Sequence, residues 1–264
     1  TGGYSTKNDG IAHWHSAYIE YILILGMFIG AVNFTLLYFA IRGHYRPLLC
    51  DHEFRWFCIV IGTATLATFV WVLVRHDEIN PELAFRHALF HVTALISTTG
   101  FLTVDYANWG SFFSIIALFL IIVAGCAGST SGGMKMGRYM ILLKNMLNEF
   151  KRQTHPQAII PLRTGGQIIP EHVVQRVATF AIVYLGLILF GCTLLTVEGI
   201  DFGEALGLAA SSVSNVGPAI GRFSTGNFST VSTFNKWVLS FLMIVGRLEI
   251  FTVLTPLLPG FWRR

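Results

Sequence analysis

Three short polar segments place a glycine in matching company: Thr1-Gly2-Gly3-Tyr4-Ser5-Thr6, Ser97-Thr98-Thr99-Gly100-Phe101 and Ser214-Asn215-Val216-Gly217-Pro218. Glycine lets a backbone aim successive carbonyls at one axis, where oxygens can replace the hydration shell of a cation. For any one segment alone, the plain alternative is a turn between helices. A fourth segment, Gly125-Cys126-Ala127-Gly128-Ser129-Thr130-Ser131-Gly132-Gly133, interrupts an apolar stretch and is followed by Lys135. It is not a phosphate loop, because Met134 separates Gly133 from Lys135, and its Gly-x-x-Ser-Gly order is not that of a hydrolase elbow. No nucleophile and base pair accompanies it, so an enzyme is not expected. Arg247 lies in an apolar run, where a charge must face a partner such as Glu249, or water. His87 and His91, four residues apart, lack a third metal ligand nearby, and packing or hydrogen bonding is the simpler use of both. Cys50, Cys58, Cys126 and Cys192 form no Cys-x-x-Cys and read as reduced core residues.

The elements that must position these residues are membrane helices. Of 264 residues 53% are hydrophobic and only 12% charged, with a mean hydropathy of +0.62, whereas a soluble domain is about one quarter charged. Apolar runs over 18–41, 54–74, 173–197 and 231–258 are each expected to cross the bilayer as one helix. Residues 82–97 and 202–214 are too short to cross and read as re-entrant half-helices, each ending in a glycine segment. The stretch 111–150 starts as a spanning helix, breaks at Gly125–Gly133 and resumes near Met136. Non-helical backbone at that depth must be buried in protein or line a water-filled cavity.

Charge gives the orientation. Arg42, Arg46, Arg55, Lys144, Lys151, Arg152, Arg163, Arg176, Arg263 and Arg264 lie opposite the glycine segments; Lys7, Arg75, Arg86, Arg222 and Lys236 lie on their side. The positive-inside rule then opens the glycine segments to the exterior. Asp9, Glu20, Asp77, Glu78, Glu82, Asp105, Glu198, Asp201 and Glu204 share that side, which makes an acidic mouth suited to concentrating cations. The net charge of +4 reports topology, not nucleic-acid binding.

A shift of 117 residues superposes Phe85 on Phe202, Ala88 on Ala205, Leu89 on Leu206, Ser97 on Ser214 and Gly100 on Gly217, a parallel internal repeat. Gly3 aligns with Gly100, with an aromatic residue after each, so the chain opens inside a third such hairpin. Thr1 is preceded by no initiator Met and followed by no signal-peptide pattern. The unit of spanning helix, half-helix, glycine hairpin and second helix resembles the TrkH/TrkG/KtrB superfamily of potassium transporters over essentially the whole chain. The three glycine segments, the interrupted helix Gly125 to Lys135 and Gly246-Arg247-Leu248-Glu249-Ile250-Phe251 carry that resemblance together.

The resemblance implies an all-α integral membrane protein with a pseudo-fourfold, potassium-channel-like pore, of which about two and a half units are present here. The expected divisions are the end of a second unit at 1–53, a third unit at 54–150, a cytoplasmic linker at 151–172 and a fourth unit at 173–264. It implies a potassium filter at Thr1, Gly2, Gly3, Thr98, Thr99, Gly100, Asn215, Val216 and Gly217. A gate beneath it falls to Gly128, Ser129, Thr130, Ser131, Gly132, Gly133, Lys135 and Arg247. With one glycine common to the three copies and no Thr-Val-Gly-Tyr-Gly, discrimination against sodium should be looser than in a dedicated channel. Also implied are a homodimer in a bacterial inner membrane, potassium as cargo with no organic cofactor, and a cytosolic nucleotide-binding ring of the TrkA/KtrA type that docks on 144–172. The alternative from another class is a secondary transporter of a small solute with broken helices.

Overall fold

The computed structural model describes residues 2–7, 10–75, 80–155, 160–165, 167–248, 250–257 and 261–262. Thr1, Asp9, Asp77, Glu78, Glu249, Arg263 and Arg264 of the sequence reading lie outside the described residues. Regular structure is almost wholly helical, as lipid demands of a segment that must pair its own amides.

The run 18–41 is not one crossing helix. Helix α1 (Ala17–Ala31) and helix α2 (Phe34–Ile41) meet at a bend of 111°. Asn33 is the cause: its Oδ1 accepts from the Thr35 N–H at 2.8 Å and the Leu36 N–H at 3.4 Å, which starts a new helix inside the apolar run. A short α3 (Arg46–Cys50) leads to α4 (His52–Arg75), whose first turn is held by Asp51 Oδ2 accepting from the Phe54 N–H at 2.8 Å. Cys50 is exposed, which corrects its reading as a core residue; Cys126 and Cys192 are buried and all four thiols are free.

Half-helix α5 (Pro81–Ile96) begins with Pro81 in its first turn and Asn80 Oδ1 accepting from the Glu82 N–H at 3.0 Å. The broken helix is α6 (Ser111–Ile122) and α7 (Met136–Thr154), on either side of the glycine-rich segment. Strands β1 (Arg163–Thr164) and β2 (Gln167–Ile168) pair antiparallel, Arg163 opposite Ile168, in the linker. Helix α8 (Glu171–Val197) precedes half-helix α9 (Phe202–Ser214), which Asp201 caps through the Gly203 N–H. The last run, 231–258, is also not one helix. It divides into α10 (Thr233–Arg247) and the short α11 (Ile250–Leu254). By length and hydropathy α4 and α8, of 24 and 27 residues, can each cross a bilayer.

The order α4, α5, hairpin, α6/α7 repeats as α8, α9, hairpin, α10/α11, and packing repeats with it. Half-helix α5 lies against α4, α6 and α1; α9 lies against α8, α10 and α6. Each half-helix is therefore wedged between the two long helices of its own unit and the second helix of the unit before. Burial follows: Val92, Leu95 and Ile96 on α5 and Ala205, Leu208, Ala209 and Val213 on α9 have almost no exposure. Arg86 of α5 is buried between Glu20 of α1 and Glu82, with Nε 3.5 Å and 3.3 Å from their carboxylates. Glu20 and Arg86 thus join two units inside the protein, which corrects their assignment to an outer charged surface.

Candidate ion pathway

The three glycine segments stand side by side. Gly3, Gly100 and Gly217 have φ of +63°, +73° and +105°, in the region that only glycine enters easily. A Cβ on Gly3 would overlap the Thr99 carbonyl, and a Cβ on Gly100 would overlap the Val216 carbonyl. The second and third hairpins thus each press a carbonyl into the space that the preceding hairpin's glycine leaves empty. Among the described residues nothing lies within 4 Å of that position at Gly217, so the row of hairpins is open on its far side.

Peptide planarity fixes where those carbonyls point. The Thr99 and Gly100 N–H groups both donate to Ala94 O on α5, at 3.0 and 3.1 Å. In a trans peptide the preceding carbonyl points the opposite way, so the oxygens of Thr98 and Thr99 face away from α5. The third hairpin does the same. The Val216 N–H donates to Ser211 O at 3.0 Å and the Gly217 N–H to Ser211 Oγ at 3.1 Å, which turns the Asn215 and Val216 carbonyls away from α9. Thr98 (φ +52°) and Asn215 (φ +58°) are left-handed without being glycine, and Asn215 ends α9 as its C-cap. Asn215 Nδ2 donates to Met243 O of α10 at 3.1 Å, so its side chain is structural. Gly2, also left-handed at +96°, is exposed. Both half-helices end here, adding the negative ends of their dipoles.

Braces that the sequence reading missed hold these hairpins. The buried Tyr106 hydroxyl donates to Ala219 O at 2.5 Å, tying the loop after the second hairpin to the third. Burial, helped by the adjacent Asp105 carboxylate, pushes the Tyr106 phenol well above the ordinary tyrosine value, so it remains a donor. Tyr184 of α8 shares a 2.7 Å hydrogen bond with Ser214 at the base of the third hairpin. Spacing gives no hint of either contact across 113 and 30 residues. His87 and His91 both reach the Thr103 hydroxyl, at 3.0 and 3.2 Å. A cavity of about 640 Å³ is lined by Gly3, Gly100 and the segments that follow them, including Lys7 and Asp105, and by Asn227 after the third hairpin.

The glycine-rich segment closes on itself and docks on the half-helix ends. Its neck is the Ala124 N–H donating to Met134 O at 3.2 Å and the Met136 N–H donating to Gly125 O at 3.1 Å. At its tip the Gly132 N–H donates to Thr98 Oγ1 at 2.8 Å, while a Cβ on Gly132 would strike the Ser214 carbonyl. Gly133 (φ +59°) packs between Ala124 and Ser214. The segment therefore lies against the bases of two hairpins at once. It also fills the break between α1 and α2: the Cys126 N–H donates to Ala31 O, the Thr130 N–H and hydroxyl donate to Gly30 O, and the Phe34 N–H donates to Gly128 O. These partners use backbone groups that a helix break leaves unpaired.

Lys135 turns inward, where its ammonium donates to the carbonyl oxygens of Ser129 and Ser131 and stabilises the segment's own shape. Arg247 is the last residue of α10, not a mid-helix charge, and its guanidinium donates to Thr130 O at 3.3 Å. Arg138, whose surroundings echo Arg247 in sequence, instead stacks on the Phe180 ring at 3.8 Å. Glu53, which the sequence reading passed over, accepts from the Ala127 N–H and the Gly137 N–H, each at 2.7 Å.

The family model described as TrkH, cation transport protein, matches residues 1–258. The chain belongs to the TrkH family. It is 37% identical over 266 residues to the Trk system potassium uptake protein TrkH of Vibrio parahaemolyticus, covering 99% of this chain and 54% of that protein. It is 30% identical to TrkH and 31% identical to TrkG of Escherichia coli K12, again over 99% of this chain and 54% of each relative. The crystal structure of the Vibrio parahaemolyticus potassium transporter TrkH superposes with a TM-score of 0.91 at 35% identity, over 98% of this chain and 56% of that one. This TrkH-family chain thus spans about half the length of the curated relatives it matches. The all-α membrane architecture expected from the sequence agrees with that match.

Proposed function

We propose that this chain forms part of a potassium uptake pathway. Potassium enters an acidic outer mouth and is partly dehydrated by backbone carbonyls of Thr1, Gly2, Gly3, Thr98, Thr99, Gly100, Asn215, Val216 and Gly217. The observation that carries this reading is the interlock of neighbouring hairpins, each carbonyl seated against the next glycine, with N–H groups turned back into the half-helices. The open side at Gly217 leaves room for a further hairpin, from this polypeptide or another, to close the ring.

Beneath it, residues Gly128 to Gly133 act as a gate, held by Lys135 from within and by Arg247 from α10. Support comes from the docking of Gly132 against Thr98 and Ser214 and from the Arg247 contact with Thr130. The units divide near 53, 150 and 172, close to the start of α4, the last turn of α7 and the start of α8. A cytosolic nucleotide-binding ring of the TrkA/KtrA type docks on 144–172, whose Lys144, Lys151, Arg152 and Arg163 offer a basic surface. Homodimer formation and a bacterial inner-membrane location follow from family resemblance. Potassium is cargo, and no organic cofactor is needed.

The test is rubidium uptake into liposomes containing the full-length protein, driven by the cation gradient without added solute. Uptake is expected, and deleting Gly128–Gly132 should raise it severalfold. Uptake that requires an organic solute would favour the secondary transporter, and a deletion that leaves flux unchanged would remove the gate from the account.

A further inference from the structure

We propose that Glu53 is a positioning residue for the intramembrane segment, a clasp that keeps it seated beneath the hairpins; this rests on the gate reading above. One carboxylate oxygen, Oε1, accepts from the Ala127 N–H and from the Gly137 N–H. These amides lie on the two sides of the segment, one entering it and one just beyond it on α7. The neck bonds of Ala124 to Met134 and of Met136 to Gly125 already close the segment on itself; the shared Glu53 oxygen adds a link from α4 that holds Ala127 and Gly137 a fixed distance apart. Charge-assisted hydrogen bonds of this kind are the stronger class, and here both amides are tied to a side chain of another helix, α4. Space at the site is fitted to it: a Cβ on Gly137 would stand 3.1 Å from Glu53 Oε1.

Glu53 is itself held from the basic side of the membrane. It lies in the first turn of α4, and Asp51 fixes that turn through the Phe54 N–H. Below it opens a cavity of about 660 Å³ lined by Asp51, Glu53, Gly128 and Arg138, with Thr164 and Gln167 of the linker strands on another wall. The turn of those strands comes close to the neighbouring residue, since a Cβ on Gly165 would be 4.0 Å from the His52 ring. The clasp therefore sits between the linker and the gate. A displacement of the linker reaches the segment through His52 and Glu53, with no need to pass along the hydrophobic core.

Glu53→Ala in the full-length protein should raise rubidium flux at least threefold. Amide exchange in the peptide containing Ala127 and Gly137 should quicken about tenfold, while peptides of α8 and α9 keep their wild-type rates. Glu53→Gln, which retains a carbonyl oxygen at the same place, should recover at least half of both effects. Should the alanine variant not fold, Glu53→Asp withdraws the carboxylate by one methylene and is measured the same way. Wild-type exchange at Ala127 and Gly137 in the alanine or aspartate variant overturns the clasp, and so does faster exchange with unchanged flux. If deleting Gly128–Gly132 also leaves flux unchanged, the gate reading itself has failed; if the deletion raises flux and Glu53→Ala does not, only the clasp has.

Discussion

A methyl group at Gly100 would meet two penalties at once. Left-handed backbone costs a residue with a Cβ about 1–2 kcal/mol, and the space is already taken by the Val216 carbonyl of the next hairpin. Gly3 stands in the same relation to Thr99, whereas Gly217 carries the strained φ alone. The glycines were legible because three copies align; their interlock was not, since it joins Gly3 to Thr99 and Gly100 to Val216, residues far apart in the chain. Tyr106 belongs to the illegible part for the same reason. Tyr106→Phe removes one bond to Ala219 O, a loss of about 1 kcal/mol, and should lower the rubidium-to-sodium flux ratio by up to about fivefold. An unchanged ratio would mean that the third hairpin does not depend on that brace.

At the scale of elements, the half-helices and the broken helix stood out because proline, capping residues and glycine clusters punctuate them locally. Pro81 and Asn80 start α5, Asp201 starts α9, and Gly125–Gly133 interrupts α6 from α7. The bend at Asn33 was overlooked because hydropathy over 18–41 is uniform, although one asparagine before Phe34 is itself a helix-start signal. The end of α10 at Arg247 was hidden likewise by the apolar residues that follow. Those two breaks are where the glycine-rich segment finds partners, so its contacts are shared among three second helices. Thr130→Val keeps the shape and the backbone N–H but removes the hydroxyl donor to Gly30 O, and should raise rubidium flux about fivefold for the roughly 1 kcal/mol lost. Equal flux in the variant and the wild type would place the segment's anchorage elsewhere.

At the scale of the whole molecule, the repeat explains why each half-helix is wedged in the same way and why successive hairpins meet. The Glu20–Arg86–Glu82 group shows that charge in such a chain does more than set topology, because two of its members join neighbouring units within the bundle. Composition separated the chain from soluble proteins, and the 117-residue shift ordered its units. Neither could show that the glycine-rich segment touches two hairpins and two helix breaks together. The central claim is that the hairpin carbonyls select the cation, and Gly100→Ser tests it most directly. In full-length protein reconstituted into liposomes, the rubidium-to-sodium flux ratio should fall about tenfold, equivalent to about 1.4 kcal/mol. A ratio equal to that of the wild type, with rubidium uptake intact, would contradict the account.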